Sequence, residues 1–336
     1  MLIFCHYIAT GRILRQHISN AISREIIDIG YSKMGCPKDK VFEELDRIGK
    51  RFFDVDSPLR RACDKEIESI LKEYKLEKHM ESLIDIIRRY IRTPSFLVRY
   101  FSLENKKPNK DSIIKALNNT DGSGLSLRMM LYDFFDFLVE RCGEEERTEY
   151  IDALDRIQTG SHSGKDIIKA FTEDELQGDR SERLAPNVRL VNGQTNRDSR
   201  QRLMLTFNTP FYPEILIASS VMAEGVDLHL SCRHVIHHDL CWNPSTLEQR
   251  TGRIDRIGAK GERCGQAIRV YIPYVAETQD EKMYRVVMDR ERWFKVIMGE
   301  KFKMDSHTTE KLAERIPFPS EAAEVMAFKL GVSDAK

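Results

Sequence analysis

Five short apolar runs constrain the fold of this chain more than any other feature. They are Leu2–Cys5, Val188–Val191, Ile215–Ala218, His234–His237 and Ile268–Ile272. Each has the length of a strand that is buried on both faces of a parallel sheet. Helical patterns around Asp198–Phe207 and Ser245–Ile257 separate the later runs. Strands that alternate with helices predict an α/β fold with one parallel sheet flanked by helices.

A long segment with a different pattern separates the first run from the other four. The segment Gly11–Ile29 reads as the helix that follows the first strand. Within residues 31–185, Val41, Leu45 and Ile48 repeat at helical spacing. We therefore predict a large helical insertion at 31–185, whose apolar stripes are explained better by core packing than by a partner-binding groove.

This pattern divides the chain into four parts. Residues 1–30 form the first strand and helix, 31–185 the insertion, 186–300 the rest of the sheet, and 301–336 a tail. A last helix, about Glu277–Met298, is expected to dock on the sheet.

Composition narrows the class of protein. Lys and Arg total 53, as do Asp and Glu, so nucleic-acid binding would need a local groove rather than net charge. The seven cysteines contain no C-x-x-C pair, which predicts no metal site. The run Leu2–Cys5 is too short for a signal peptide, and no later run has the length of a membrane span. These features predict a cytoplasmic protein, associated with the nucleoid if it is bacterial.

The segment Gln249–Gly258 carries the strongest chemical pattern. Ser245 is a candidate N-cap, and Glu248 would complete a capping box. On a helix through Ile257, Arg253 and Arg256 would lie on either side of Gln249.

The same helical phase would place Leu247, Ile254 and Ile257 on a separate apolar arc. Arg250 falls in that arc, which predicts a structural ion pair. Gly252 inside the helix indicates close approach of another backbone and argues against a merely solvated basic face. Two forked guanidinium groups held together suit the negative charge that spreads over a phosphoryl group in transfer.

A second segment, Ile215–Leu228, ends a strand in Ser219 and Ser220 and continues through Gly225 to Asp227. These polar groups would lie at the carboxyl edge of the sheet, where open α/β folds bind ligands. Hydroxyl groups there can contact a nucleic-acid phosphate.

Together these segments resemble conserved motifs of superfamily-two helicases. Ser219–Leu228 resembles motif V, and Gln249–Gly258 resembles motif VI. Asp239 with Trp242, Asn243 and Pro244 resembles the D-x-x-W-N-P segment of Swi/Snf-type ATPases. Leu2–Tyr7 resembles motif IV, and Gly193–Thr195 with Arg200 resembles the next strand, loop and helix. The resemblance covers about residues 1–30 and 186–300 and is nearest to bacterial RNA-polymerase-associated Swi/Snf-like proteins.

The resemblance implies the second RecA-like lobe of an ATP-dependent translocase on duplex DNA. It places Arg253 and Arg256 at the arginine-finger positions, with Gln249 sensing the γ-phosphate. Asp227 would contact the ribose of ATP near Gly225, and Mg²⁺ would have no ligand in this chain. The residues implied in nucleic-acid binding are Ser219, Ser220, Trp242, Asn243, Gln194 and Thr195.

The sequence departs from the family pattern in one respect. Neither a Walker A nor a Walker B motif is present, and Gly160–Asp166 is one residue short between its glycines. Met1 falls directly on motif IV. We therefore expect the first lobe to come from another chain or to have been lost by truncation, and this chain alone not to hydrolyse ATP.

Several alternatives stay open. The chain could instead be a noncatalytic module whose insertion binds a protein or DNA. The track could be DNA or RNA. His234, His237 and His238 are expected to be core and edge residues rather than metal ligands, while a role for His6 near nucleotide or nucleic acid stays undecided.

Overall fold

The computed structural model describes residues 1–74, 76–103, 109–120, 124–156, 187–219 and 227–297, apart from the side chains of residues 244 and 290–297. The described chain divides into two compact units. One comprises Met1–Asp239 and Thr246–Ile272, and the other comprises Leu240–Ser245 and the chain from Pro273.

The larger unit contains the predicted sheet. Its strands are Leu2–Phe4 (β1), Val188–Val191 (β2), Ile215–Ala218 (β3), His234–His237 (β4) and Arg269–Tyr271 (β5). They lie in the order β2-β3-β1-β4-β5, and every pair is parallel. The prediction of a RecA-like α/β sheet is confirmed, and the strand that comes first in the chain occupies its centre.

Helices cover both faces of the sheet. Helix α1 (Ile8–Met34) packs on one face, where Leu14 and Ile18 contact the core formed by Ile3, Leu190 and Ile217. The other face carries Leu2, Phe4, Val191, Leu216 and Val235, which are all fully buried.

Two later segments cover this second face. Helix α9 (Arg197–Phe207) contributes Phe207, and the segment after helix α10 (Pro244–Thr251) contributes Ile254. Alternate side chains point to opposite faces of a strand, so the runs that form β1, β2 and β3 serve both layers. The edge strand β5 differs from the prediction of a buried strand, because its three residues are exposed.

The insertion folds into helices with a core of their own. They are α2 (Val41–Lys50), α3 (Pro58–Leu71), α4 (Met80–Ile91), α5 (Pro94–Tyr100), α6 (Lys110–Asn118), α7 (Leu127–Asp136) and α8 (Glu144–Asp155). A π-helical turn, Phe137–Arg141, follows α7. Phe52, Phe96, Phe101 and Phe135 are at most 1% exposed in this core, and burying each stabilises the fold by roughly 1.5–3 kcal/mol. We call α2–α8 the helical domain; the boundaries at 30/31 and 185/186 remain predictions.

Helix α1 belongs to both cores. It is 27 residues long, where only Gly11–Ile29 was predicted. Its first half lies on the sheet, and Ile26 and Met34 in its second half pack into the helical domain. An added Cβ at Gly11 would lie 2.8 Å from a methyl carbon of Leu190, so glycine permits the close approach of helix and sheet.

A short helix and a longer one complete the described chain. Helix α11 (Lys260–Arg263) precedes β5 in the larger unit. Helix α12 (Gln279–Ile297) lies in the smaller unit, where Tyr274 and Tyr284 stack with ring centroids 4.5 Å apart. Its docking on the sheet stays a prediction. Within the described ranges, no helix is both long and apolar enough to cross a membrane.

Candidate functional site

Polar residues follow four strands at the carboxyl edge of the sheet. Ser219 follows β3 and is 3% exposed, and its backbone N–H donates to Val191 O at 3.0 Å. Gln194 and Thr195 lie in the turn after β2. His6 follows β1, and Asp239 follows β4. Because the strands are parallel, these residues share one edge, where such folds bind ligands.

The turn after β2 uses its polar groups internally. The Thr195 hydroxyl accepts from the Asn192 N–H at 3.1 Å. The Gln194 side-chain oxygen accepts from Arg12 on α1 at 3.1 Å. Both residues were implied in nucleic-acid binding, and the structure shows them ordering the turn.

Asp239 joins the ends of β1 and β4. Its carboxylate accepts from the His6 backbone N–H at 2.6 Å and pairs with His238 Nδ1 at 2.8 Å. The hydrogen bond from His238 holds the pKa of Asp239 below its usual value. The histidine side chains do not converge on a common centre here, and His237 is fully buried against Thr251.

Helix α10 is shorter than predicted, and this corrects the helical-phase argument. It ends at Thr251 rather than Ile257, with Gly252 N–H donating to Glu248 O at 2.7 Å. Arg253 lies in the turn that follows, and Arg256 lies in a bend beyond it. Gly252 does not meet a separate backbone, because its nearest atoms are carbonyl oxygens of the preceding turn.

Only part of the predicted apolar arc is buried in the structure. Leu247 and Ile254 are 6% and 0% exposed, as expected, but Ile257 is 95% exposed because the helix no longer carries it inward.

Arg250 is buried, as its phase predicted, but no carboxylate pairs with it among the described residues. It is 1% exposed, and its guanidinium lies 5.3 Å from the ring centroid of Phe4. In the part of the chain that the structure describes, its Nε and Nη1 atoms have no hydrogen-bond partner. Within those ranges, its contact is a cation–π interaction with the last residue of β1 rather than the predicted ion pair.

The start of α10 also differs from the prediction. Asn243, not Ser245, caps the helix, since its side-chain oxygen accepts from the Ser245 N–H at 3.1 Å. The neighbouring Trp242 is 54% exposed. Both residues lie in the smaller unit.

The segment Asp227–Leu230 is held by backbone hydrogen bonds to the motif VI region. Leu228 N–H donates to Arg253 O at 3.0 Å, and Lys260 N–H donates to His229 O at 2.9 Å. The Arg263 guanidinium donates to Leu230 O. These bonds place the side chain of Asp227 beside the loop that carries Arg256.

Arg256 and Asp227 form an ion pair. Their side chains are 38% and 54% exposed. Arg253 is partly buried, and its Nε atom has no partner among the described residues. Gln249 is exposed in the last turn of α10.

His229 shows how many cations surround this segment. Burial lowers the pKa of His229, the charge of Asp227 raises it, and Arg256, Arg263 and Arg141 lower it further. Three arginine side chains and the carboxylate of Asp227 therefore lie near His229.

The helical domain reaches this loop, which sequence reasoning did not predict. Arg263 pairs with Asp133 of α7 at 3.3 Å. The Arg141 Nη1 atom would lie 2.9 Å from an added Cβ at Gly258, whose φ is +78°. Positions in an inserted domain carry no local signal of such contacts.

Some predicted residues lie outside the described ranges. They are Ser220 and Gly225, together with the near-match Gly160–Asp166.

The five-stranded parallel sheet flanked by helices has the architecture of a RecA-like α/β fold. Residues 149–258 match the family profile described as "Helicase conserved C-terminal domain". This part of the chain is therefore similar to the C-terminal lobe of helicases, in agreement with the resemblance of its motifs.

Three curated relatives are similar to parts of this chain. The uncharacterized ATP-dependent helicase YqhH of Bacillus subtilis is 30% identical over 121 residues, 35% of this chain and 21% of that protein. Zorya protein ZorD of Escherichia coli is 32% identical over 129 residues, 35% and 11% of the two chains. The RNA polymerase-associated protein RapA of Pseudomonas putida is 35% identical over 75 residues, 22% and 7%. The similarity spans about a fifth or less of each relative's length.

Proposed function

We propose that the chain is the arginine-finger lobe of an ATP-dependent translocase or helicase on double-stranded DNA. A first RecA-like lobe, in another chain or another part of a longer protein, would supply the phosphate-binding loop. The observation that carries the proposal is the loop with Arg253 and Arg256, which is hydrogen-bonded to the Asp227 segment and brings Arg256 beside Asp227.

The residues of this loop fit a nucleotide. Arg256 is partly exposed, so its guanidinium can bind an anion, and Arg253 lies partly buried in the same loop. The carboxylate of Asp227 is a suitable acceptor for a ribose hydroxyl. Bound ATP, with Mg²⁺ held by the first lobe, would supply the phosphoanhydride whose cleavage powers movement.

The Arg256–Asp227 pair must open for both residues to act in these roles. Such a partly exposed pair contributes about 0–1 kcal/mol, so opening it costs little. Until the pair opens, Asp227 would keep Arg256 beside the position that Arg256 would occupy next to bound nucleotide. Arg253 and Arg256 would then stabilise charge on the γ-phosphate, with Gln249 alongside.

Nucleic acid would contact the carboxyl edge of the sheet. Ser219, Gln194 and Thr195 have polar backbone or side-chain groups at that edge, and such groups commonly contact phosphates. Trp242 offers an exposed ring, and the Asn243 amide nitrogen is not used by the helix cap.

The test is DNA-stimulated ATP hydrolysis by this chain together with a protein carrying a first lobe. Replacing both Arg253 and Arg256 by alanine should lower the stimulated rate by about a thousandfold or more. Arg47→Ala with Arg61→Ala removes two surface arginines of the helical domain and is the matched control.

Stimulation that survives the Arg253 and Arg256 double substitution would contradict the proposal. If no first lobe stimulates hydrolysis and the lone chain binds duplex DNA or a protein regardless of these arginines, the noncatalytic binding module is the better explanation.

A further inference from the structure

Asn208 joins both ends of the Asp227–Leu230 segment to helix α9. Its side-chain nitrogen donates to Asp227 O at 2.7 Å, and its side-chain oxygen accepts from Leu230 N–H at 3.2 Å. One amide group therefore spans four residues of the loop.

The Asn208 side chain is itself held rigidly. Its backbone N–H donates to Leu205 O at 3.1 Å at the end of α9, and the residue is 7% exposed. The preceding residue, Phe207, is 2% exposed in the core on the sheet. The hydrogen bonds of Asn208 therefore anchor the Asp227–Leu230 segment to α9, a helix that packs on β2 and on α8 of the helical domain.

The backbone hydrogen bonds of Leu228 and His229 do not provide the same anchor. They join the segment to Arg253 and Lys260, in and just after the loop that carries Arg253 and Arg256. If that loop shifts, those bonds shift with it. Asn208 instead connects the Asp227 peptide to a regular element on the sheet.

We propose that Asn208 is a positioning residue that holds Asp227 where its carboxylate can accept from the ribose 2′-hydroxyl of the nucleotide. This proposal deepens the proposed function and rests on it. Asn208 would act through the Asp227 peptide and would not touch the nucleotide.

The sharpest variant is Asn208→Asp. It keeps the size of the side chain and the acceptor for Leu230, but it replaces the donor to Asp227 O with a second oxygen. Asn196→Asp is the matched control on the other end of the same helix. Asn196 caps α9 by accepting from Ser199 N–H at 2.8 Å, and aspartate caps a helix equally well.

The first readout needs no catalysis. Asn208→Asp should accelerate hydrogen exchange at the Leu228 amide by about tenfold, while exchange in β1 and β3 stays as in the parent protein. Asn208→Ala, which adds no charge, should accelerate exchange at both Leu228 and Leu230. Asn196→Asp should change neither amide.

The second readout is the preference for ATP over 2′-deoxy-ATP in stimulated hydrolysis, measured as the ratio of kcat/KM values. A hydrogen bond from the ribose 2′-hydroxyl to Asp227 predicts that kcat/KM is about tenfold higher for ATP than for 2′-deoxy-ATP. Asn208→Asp and Asp227→Ala should both bring this ratio close to one, whereas a merely structural substitution would lower kcat/KM equally for both nucleotides and leave the ratio unchanged.

The outcomes separate the two proposals. Unchanged exchange at Leu228 in Asn208→Asp would overturn the role of Asn208. So would an unchanged nucleotide preference in Asn208→Asp where Asp227→Ala abolishes it. Absence of stimulated hydrolysis in the parent chain would contradict the proposed function, and the exchange experiment would still decide whether Asn208 holds the loop.

Discussion

Arg256 and Asp227 are paired with each other across two loops, although the helicase resemblance assigns them to opposite ends of a nucleotide. The pair forms because Leu228 is hydrogen-bonded to Arg253, which brings the two loops together. Arg256 is therefore held beside Asp227 by a partly exposed ion pair, which is weak enough to open.

Asp227→Asn should barely change stability. The two side chains are 38% and 54% exposed, so losing the pair should lower the free energy of unfolding by less than about 1 kcal/mol. Urea denaturation measures this change. A loss above about 2 kcal/mol would show that the pair is a structural bond rather than a resting contact.

Arg250 should be replaceable by an apolar side chain of similar length. The buried guanidinium contacts Phe4 and leaves two nitrogens unpaired among the described residues. Arg250→Met should therefore change the free energy of unfolding by less than about 1.5 kcal/mol. Arg250→Ala leaves a cavity and should cost about 2–4 kcal/mol. Equal losses in both variants, measured by chemical denaturation, would indicate that the charge itself is needed.

His237 should make stability depend on pH in the mildly acidic range. Burial, and then the charge of Arg250, lower the pKa of His237 to about 4 from an ordinary value of 6.5. The unfolded chain thus takes up a proton before the folded one does. Stability should be complete above pH 6.5 and should fall between pH 6.5 and 4, by up to about 1.4 kcal/mol per pH unit.

Denaturation curves across this pH range test the assignment. His237→Gln should flatten the slope, although His234, whose pKa burial also lowers to about 4, should leave part of it. A slope identical to that of the parent protein would mean that another group is responsible.

Gly258→Ala should destabilise the protein more than Gly265→Ala. Both glycines have positive φ, +78° and +64°, which costs a residue with a Cβ about 1–2 kcal/mol. Only Gly258 would also meet a side chain, that of Arg141. Adding Arg141→Ala should reduce the cost of Gly258→Ala to that of Gly265→Ala. A double-mutant cycle with no coupling between positions 141 and 258 would contradict this contact.

The strands could be predicted well because each is a short apolar run whose neighbours in the chain decide its conformation. The run His234–His237 forms a strand although it begins and ends in histidine. Burial lowers the pKa of His237 to about 4, so its ring is neutral at pH 7 and can lie in the core. The end of α10 could not be predicted from phase alone. Gly252 ended the helix, so Ile257 became exposed where an apolar arc was expected.

The candidate site was predicted as a set of residues but not as a geometry. The burial of Arg250 followed from its position among apolar residues, but its contact with Phe4 depends on a strand far away in the chain. Asn208 gave no local signal, because a single asparagine after a helix is ordinary. The contacts of Asp133 with Arg263 and of Arg141 with Gly258 depend on how an inserted domain packs.

The sequence by itself determined the alternation of strands and helices, the helical character of the insertion and the order of the helicase motifs. Periodicity and motif spacing are local properties, so they can be read along the chain. Only the tertiary structure decided that β1 lies between β3 and β4, that Asp227 meets Arg256 and that the Asn208 side chain bonds to both Asp227 and Leu230. Those relationships join segments that are remote in sequence, and they exist only once the strands have paired into the sheet and the loops have packed against it.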